Sequence, residues 1–260
     1  MNTRQAAVAG RFYQENPVLL EAQIAGLMPQ PSALTSARPK VLIVPHAGYI
    51  YSGAIAAQAY CQLATMRDQI QRIVLIGPAH RVYVTGMALP SVDTFTTPLG
   101  EIPLDRQSIE TISGMSGVCV SDEAHREEHC LEVQLPLLQT MLTQFSLVPV
   151  VVGNCAADMV AAVIDKLWGG AETLVVISTD LSHFHAYEEA QEIDLSTCER
   201  ILEKAVDLSG EQACGASAVN GLMASEHCRT LQVEMLAACN SGDSAGGKDR
   251  VVGYGAFQLH

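Results

Sequence analysis

The segment VLIVPHAGYIYSG, residues 41–53, decides how the rest of the chain is interpreted. Its four apolar residues predict a buried strand, which ends at a proline and is followed at once by His46 in a glycine-containing turn. The segment RIVLIGPAH, residues 72–80, repeats this arrangement and ends on His80. Two histidines in the same local setting indicate a shared role at the ends of two strands.

Apolar runs and helical patterns alternate along the chain. Further apolar runs lie at 147–152, 174–178 and 251–257, and helical patterns lie at 53–65, 127–142, 157–168 and 186–205. Such alternation is typical of a largely parallel sheet with helices on both faces. We therefore predict an α/β fold, a three-layer sandwich with a largely parallel or mixed central sheet, formed by a single domain over residues 1–260. The segment 86–105 is expected to form a hairpin excursion.

Composition and charge limit the partners of the protein. The chain carries 15 Lys and Arg against 28 Asp and Glu, a net charge of −13, which would repel nucleic acid and anionic membranes. The apolar runs are too short to span a bilayer, and the N-terminus has no apolar segment of signal-peptide length. We expect a cytoplasmic protein without nucleic-acid or membrane partners.

The eight cysteines form no CxxC pair, and spacing alone singles out none of them as a ligand.

A third strand is followed by polar residues in the same way. The segment TLVVISTDLSHFH, residues 173–185, offers Asp180, His183 and His185. Because the carboxyl ends of parallel strands meet at one edge of a sheet, Asp180 and His183 are expected to join the two histidines in one site, whereas His185 is expected to be exposed. Two imidazoles and one anionic ligand would suit iron(II), zinc or copper. The alternatives are histidines held by backbone hydrogen bonds, and Asp180 or Ser182 as the cap of the helix at 186–205.

The segment HREEH, residues 125–129, raises a competing interpretation. It matches the H-x-x-E-H pattern, in which two histidines one helical turn apart hold zinc in a metallopeptidase. The alternative is a solvated first helical turn whose acidic residues suit the helix dipole. The peptidase interpretation leaves the strand-end histidines without a role, and Pro136 is expected to end the helix soon afterwards.

A series of ordered motifs extends over nearly the whole chain and resembles the Memo family, whose members are often labelled AmmeMemoRadiSam system protein B. The motifs are AVAGRFYQENPVLLEAQI, VPHAGYIYSGAIAAQAY, GPAHRVY, FTTPLGEIPLD, EEHCLEVQLPLL, STDLSHF, CGASAVNGLM and GYGAF. Memo proteins in turn resemble class III extradiol dioxygenases, whose metal site uses two histidines and a carboxylate.

The resemblance implies a metal site formed by His46, His80 and Cys214, the cysteine lying in a Cys-Gly step. Replacing a hard carboxylate by a soft thiolate moves the preference towards copper(I) or zinc, with iron(II) still open. A thiolate ligand is also oxidisable, which argues against ordinary catechol cleavage. We expect one divalent or redox-active metal ion, iron or copper in the first place and zinc as an alternative.

The resemblance also implies a set of catalytic residues. His183 would move protons, with Asp180 orienting it or touching the ion, and His129 would lie near the cleft together with Glu132. Because the family carries a similar acidic segment there, the resemblance argues against the peptidase. It implies redox or oxygen-dependent chemistry on a small molecule. The alternative is a non-enzymatic module that uses a vestigial dioxygenase cleft to bind a peptide or protein partner. The family label also suggests a radical-SAM partner protein.

Overall fold

The structure is a computed structural model that describes residues 2–30 and 37–260. Within these ranges the strands are β1 (Thr3–Arg4), β2 (Val41–Val44), β3 (Arg72–Pro78), β4 (Met87–Leu89), β5 (Thr94–Thr97), β6 (Gly100–Pro103), β7 (Val118–Val120), β8 (Ser146–Val152), β9 (Thr173–Ser178), β10 (His183–His185), β11 (Val233–Asn240) and β12 (Val251–Leu259). The α-helices are α1 (Pro17–Leu27), α2 (Ala54–Tyr60), α3 (Arg106–Ser113), α4 (Asp122–Arg126), α5 (His129–Glu132), α6 (Leu135–Met141), α7 (Ala157–Leu167), α8 (Tyr187–Leu202) and α9 (Ala216–Ala224).

The main sheet is mixed. Its strand order is β10-β12-β2-β9-β3-β8-β4-β7, and β11 pairs with β12. The four strands β2, β9, β3 and β8 at its centre are mutually parallel, whereas β12 and β4 join them in antiparallel orientation. A separate small sheet has the order β1-β5-β6. The predicted α/β sandwich with a mixed sheet and flanking helices is confirmed.

The central strands are buried because helices cover the sheet. Every residue of β2 is fully buried, and β9 is buried along its whole length. Continuous apolar runs of this kind belong to strands covered on both faces. Helices α2 and α8 contact β11 and β12, while α5 and α9 contact β3. These apolar runs of the sequence therefore form central, buried strands of the main sheet.

Several local predictions differ from the structure. The predicted helix at 127–142 is divided into α5 and α6, and Pro136 lies in the first turn of α6 instead of ending a helix. Proline suits a first turn, because its missing N–H would have no intrahelical partner there. The segment 86–105 is only partly a hairpin: β5 and β6 form one, but β4 belongs to the main sheet.

The parallel register brings three strand ends to the same edge. Val44 at the end of β2 lies beside Ser178 at the end of β9, and Ile76 of β3 lies beside Ile177. The segments that follow β2, β3 and β9 therefore start next to one another. Among the described residues, no helix combines the length and the apolar character needed to cross a membrane.

Candidate metal centre

His46 follows β2 and is held in one orientation by a buried hydrogen-bond network. The residue is 1% exposed, and its Nδ1 lies 2.9 Å from Oγ of Ser178. That hydroxyl donates its proton to the carbonyl of Cys130 at 2.7 Å and accepts the Gln134 amide at 2.9 Å. Because the hydroxyl has a single proton, Nδ1 of His46 must be the donor to Ser178. Nε2 of His46 therefore carries a lone pair.

Burial also keeps the His46 ring neutral. Desolvation, reinforced by the neighbouring His80 and His129, holds the pKa of His46 well below its ordinary value of 6.5. A neutral imidazole with a fixed tautomer is the form that binds a metal ion. His46 is therefore ready to act as a ligand without a change of protonation at neutral pH.

Glu128 orients the second strand-end histidine. Its Oε1 lies 2.9 Å from Nδ1 of His80, and its Oε2 accepts the His80 backbone amide at 2.6 Å. The amides of His129 and Cys130 also donate to Oε1, at 2.9 and 3.1 Å. Burial by itself would raise the pKa of Glu128, but the hydrogen bonds from His129 and His80 outweigh it and hold the pKa well below its usual range. An ionised carboxylate that accepts Nδ1–H leaves Nε2 of His80 available to an ion.

Three histidines form one group of donor atoms that could hold an ion. One ring nitrogen each from His46, His80 and His129 lie within 4.8 Å of one another. The ring centroids of His80 and His129 are 4.6 Å apart, and those of His46 and His80 are 5.1 Å apart. Nitrogen ligands of one zinc ion lie roughly 3–3.5 Å apart, since each bond measures about 2.0–2.1 Å. Small ring movements would therefore let all three nitrogens contact one ion.

Cys214 lies at the border of this group. Its Sγ is 3.3 Å from Nε2 of His46 and accepts the Asp180 backbone amide at 3.3 Å. The turn that carries it is fastened to the end of β9, because the Gly215 amide donates to Oγ1 of Thr179 at 2.8 Å. Burial first, and then the charge of Asp180, raises the pKa of Cys214 to about 12. A metal ion bound by this sulfur would have to displace its proton.

Asp180 and His183 border the site from the third strand end. Oδ1 of Asp180 accepts the His46 backbone amide at 2.7 Å, and Oδ2 lies 3.9 Å from Nε2 of His46. Burial raises the pKa of Asp180 above its ordinary value, although the His46 amide opposes the shift. Nδ1 of His183 lies 2.8 Å from the carbonyl of Leu181, which can only accept, so Nε2 of His183 carries the lone pair.

One of the sequence-based alternatives is wrong. The N-cap of α8 is Ala186, which has no capping side chain, so neither Asp180 nor Ser182 caps that helix. His185 lies away from the group of three histidines, with its Nδ1 3.2 Å from a carboxylate oxygen of Glu189.

The metallopeptidase interpretation of HREEH is also wrong. Helix α4 ends at Arg126 and α5 begins at His129, so His125 and His129 do not lie one turn apart on a single helix. Nε2 of His125 faces the carbonyl of Ala88 at 2.9 Å, and the residue is 2% exposed. His125 is a core histidine.

The structure adds residues that the sequence-based prediction missed. Ser178 and Glu128 set the tautomers of the two strand-end histidines. Ser178 could have been recognised from the sequence, because it places a hydroxyl group at the end of a largely apolar strand. Glu132, which was expected near the cleft, is instead fully buried against the N-terminal segment, where it accepts hydrogen bonds from Arg4 and Tyr13.

The donor set fits a metal ion. Imidazoles with one ring nitrogen hydrogen-bonded are typical of metal-binding histidines, and a thiol and a carboxylate lie beside them. These features define a class: an α/β protein with a partly buried, histidine-rich, metal-competent site at the carboxyl edge of its parallel strands.

Comparison with known proteins identifies the family. A family model described as Memo-like protein matches residues 4–258, and the chain belongs to this family. A MEMO1 family protein of Aeropyrum pernix is 32% identical over 282 residues, with 100% of both chains covered. A MEMO1 family protein of Methanosarcina mazei is 33% identical over 283 residues, with 99% of each chain covered.

One solved structure shares the fold. The crystal structure of the uncharacterized protein JW3007 from Escherichia coli K12 is similar, with a TM-score of 0.52 at 11% sequence identity. The match covers 84% of this chain and 99% of that chain. At this identity the likeness concerns the arrangement of helices and strands alone.

Proposed function

We propose that this Memo-like protein binds one metal ion and performs redox or oxygen-dependent chemistry on a small molecule in the cytoplasm. Iron or copper is the first choice of ion and zinc the alternative. The observation that carries the proposal is the convergence of hydrogen-bonded histidines at one sheet edge. His46 and His80 would hold the ion, with Cys214 as the third ligand by the family resemblance. The bound ion would supply Lewis-acid or redox chemistry.

The chain's own residues would prepare the proton transfers. Nδ1–H of His183 donates to a backbone carbonyl, so its Nε2 is free to accept a proton from a bound molecule. Asp180 is buried beside His46 and would balance positive charge in the site. His129, 14% exposed at its side chain, lies within the histidine group and would contact the ion or the substrate.

A cavity beside the site has room for a small molecule. It measures about 190 Å³ and is lined mainly by apolar residues and glycines, together with Tyr83, Asn154, Cys214 and Ser217. Because Cys214 lines this pocket, the pocket supports a small-molecule substrate over a purely structural ion.

A binding module remains the alternative, and the rim of the site favours it. Tyr83 is 81% exposed, and Phe184, next to His183, is 61% exposed with a left-handed backbone (φ 65°). A strained, exposed aromatic residue beside a cleft suits contact with a peptide or protein partner. A radical-SAM partner is part of the same proposal and is tested by co-purification at micromolar concentration.

The test is elemental analysis of anaerobically purified protein together with turnover assays. His46→Ala should lose both the metal and the activity, whereas the control His185→Ala should keep both. Retained metal in His46→Ala would refute the site. Loss of metal together with unchanged partner binding would favour the module over the enzyme.

A further inference from the structure

A cluster of three arginines lies beside the candidate metal centre. Arg11, Arg81 and Arg126 come from three distant parts of the chain and line one cavity of about 370 Å³. The chain has 15 basic residues against 28 acidic ones, so this concentration of positive charge runs against the charge of the whole molecule. We propose that Arg11 and Arg81 form an anion subsite, which binds the carboxylate or phosphate group of the small molecule on which the protein acts. The inference rests on the proposed function and names the chemical class of its substrate.

Both arginines are next in sequence to residues of the candidate site. Arg81 directly follows His80, and Arg11 directly precedes Phe12. The ring of Phe12 packs on the ring of His129, with the two centroids 4.8 Å apart. The two arginine side chains therefore reach the cavity from segments that also line the histidine group.

The arginine-lined cavity adjoins the smaller cavity beside the metal centre. Val82 lines both of them, and Cys214 lines the smaller one. A small molecule whose anionic group lies between the arginines would extend past Val82 towards Cys214. The subsite would therefore hold a substrate by one end and leave its other end close to the ion.

The two guanidinium groups are available to a ligand. Within the part of the chain that the structure describes, Arg11 and Arg81 make no ion pair and no side-chain hydrogen bond, whereas the guanidinium groups of Arg4, Arg72 and Arg200 each contact a carboxylate. Both free arginines are exposed. In a chain so rich in acidic residues, arginines without a carboxylate partner that line one cavity fit a site whose anion comes from outside.

Two glutamates that line the same cavity single out Arg11 and Arg81 as the binding pair. Glu123 lies 3.9 Å from Arg126, which therefore already has a carboxylate neighbour. Glu127 would repel an anion from its part of the cavity. A guanidinium binds a carboxylate or a phosphate through two parallel N–H···O bonds, so the two remaining arginines can grip one anionic group from two directions.

Calorimetric titration of the full chain with inorganic phosphate, and separately with succinate, tests the subsite. We expect at least one of these anions to bind, and the tighter of the two indicates whether the substrate carries a phosphate or a carboxylate. Arg11→Met and Arg81→Met should each weaken binding by about 10–100-fold, because each removes charge-assisted hydrogen bonds. Both titrations are carried out at matched ionic strength and repeated after removal of metal, so that binding of the anion to an ion is recognised.

Two further variants separate recognition from simple charge. Arg81→Lys keeps the positive charge but loses the planar fork, so it should recover only part of the affinity that Arg81→Met loses. Arg38→Met is the matched control, because Arg38 is also exposed but does not line this cavity, and its affinity for the anion should be unchanged. Circular dichroism verifies that each variant is folded.

The inference is wrong if the wild-type chain binds neither anion, or if Arg38→Met weakens binding as much as the two cavity variants do. Elemental analysis of the same samples keeps this result separate from the proposed function. A chain that holds metal but binds neither anion would lose the subsite and keep the metal-binding function. Anion binding that depends on Arg11 and Arg81 in a chain without metal would support the subsite while the proposed metal chemistry failed.

Discussion

Glu128 and Glu132 are the same residue type one helical turn apart, yet they serve different parts of the molecule. Glu128 precedes α5 and Glu132 ends it. Both are buried, and each carboxylate accepts four hydrogen bonds. The two carboxylates differ only in the groups that donate these hydrogen bonds.

The donors to Glu132 come from the N-terminal segment. They are the Arg4 guanidinium, the Tyr13 hydroxyl, and the backbone amides of Ala7 and Val8. Arg4 also donates to the carbonyl of Glu128 at 2.8 Å. The permanent positive charge of Arg4 balances the Glu132 carboxylate. The Arg4–Glu132 ion pair therefore fastens the N-terminal segment to the segment that carries His129.

The donors to Glu128 are the backbone amides of its neighbours and the His80 ring, with no Arg or Lys among them. Its negative charge is therefore available to a cation in the site. The comparison teaches that the charge of the donor groups, and not burial or the number of hydrogen bonds, distinguishes these two carboxylates.

Removal of the structural carboxylate should have the largest effect. Glu132→Ala leaves the Arg4 charge buried without its counter-ion, so we expect a loss of about 3–5 kcal/mol in the free energy of unfolding. Urea denaturation of the purified protein measures this value. The exposed neighbour Glu127 provides the control, since Glu127→Ala should change stability by less than about 0.5 kcal/mol. Equal values for the two variants would contradict a structural role for Glu132.

Removal of the other carboxylate should affect metal binding more than stability. Glu128→Gln keeps the size of the side chain but places an amide where the His80 amide and ring both need an acceptor. We expect Zn²⁺ affinity to fall by about 10–100-fold, as for other outer partners of metal-binding histidines. Competition with a chromophoric chelator measures the affinity. Unchanged affinity would mean that the carboxylate does not orient His80.

Acidification tests the core histidine that precedes both carboxylates. Burial lowers the pKa of His125 from 6.5 to about 4. Because the unfolded chain takes up this proton first, stability is complete above about pH 6.5 and falls as the pH drops towards 4. His125 alone should reduce the free energy of unfolding by about 2 kcal/mol between pH 7 and pH 5, and His46 acts in the same direction.

The matched variant is His125→Gln, which retains a donor for the carbonyl of Ala88. Denaturation curves at pH 7 and pH 5 should show a smaller difference for this variant than for the wild type. An identical difference would show that His125 is not the group that takes up the proton.

The smallest expected effect concerns the four hydrogen bonds that Glu132 accepts, here called the Glu132 network. The Tyr13 hydroxyl donates to Oε1 of Glu132 at 2.6 Å, and Tyr13→Phe removes only this bond. Three donors remain, so we expect a loss of about 1.5 kcal/mol in the free energy of unfolding, with unchanged Zn²⁺ affinity. The exposed Tyr83 provides the control for the loss of a hydroxyl. A fall in metal affinity would show that the network reaches the site.

Much of the fold follows from local pattern. The runs at 41–44, 73–76, 147–152 and 174–178 became the four central parallel strands, because only strands covered on both faces tolerate continuous apolar residues. Strand β11 was not predicted, since its partly exposed residues have no clear alternation. Helices α3 and α9 were also missed because they are short, and α1 was missed because its apolar residues show almost no helical periodicity.

The sequence by itself indicated that two histidines leave apolar strands at one edge of a sheet, since the apolar runs and the alternation of strands and helices are visible along the chain. Only the tertiary structure decided their partners. Glu128 meets His80 across 48 residues and Glu132 meets Arg4 across 128 residues, although the two carboxylates are almost adjacent. Hydrogen-bond and charge partners depend on which distant segments fold together, and no local pattern contains that information.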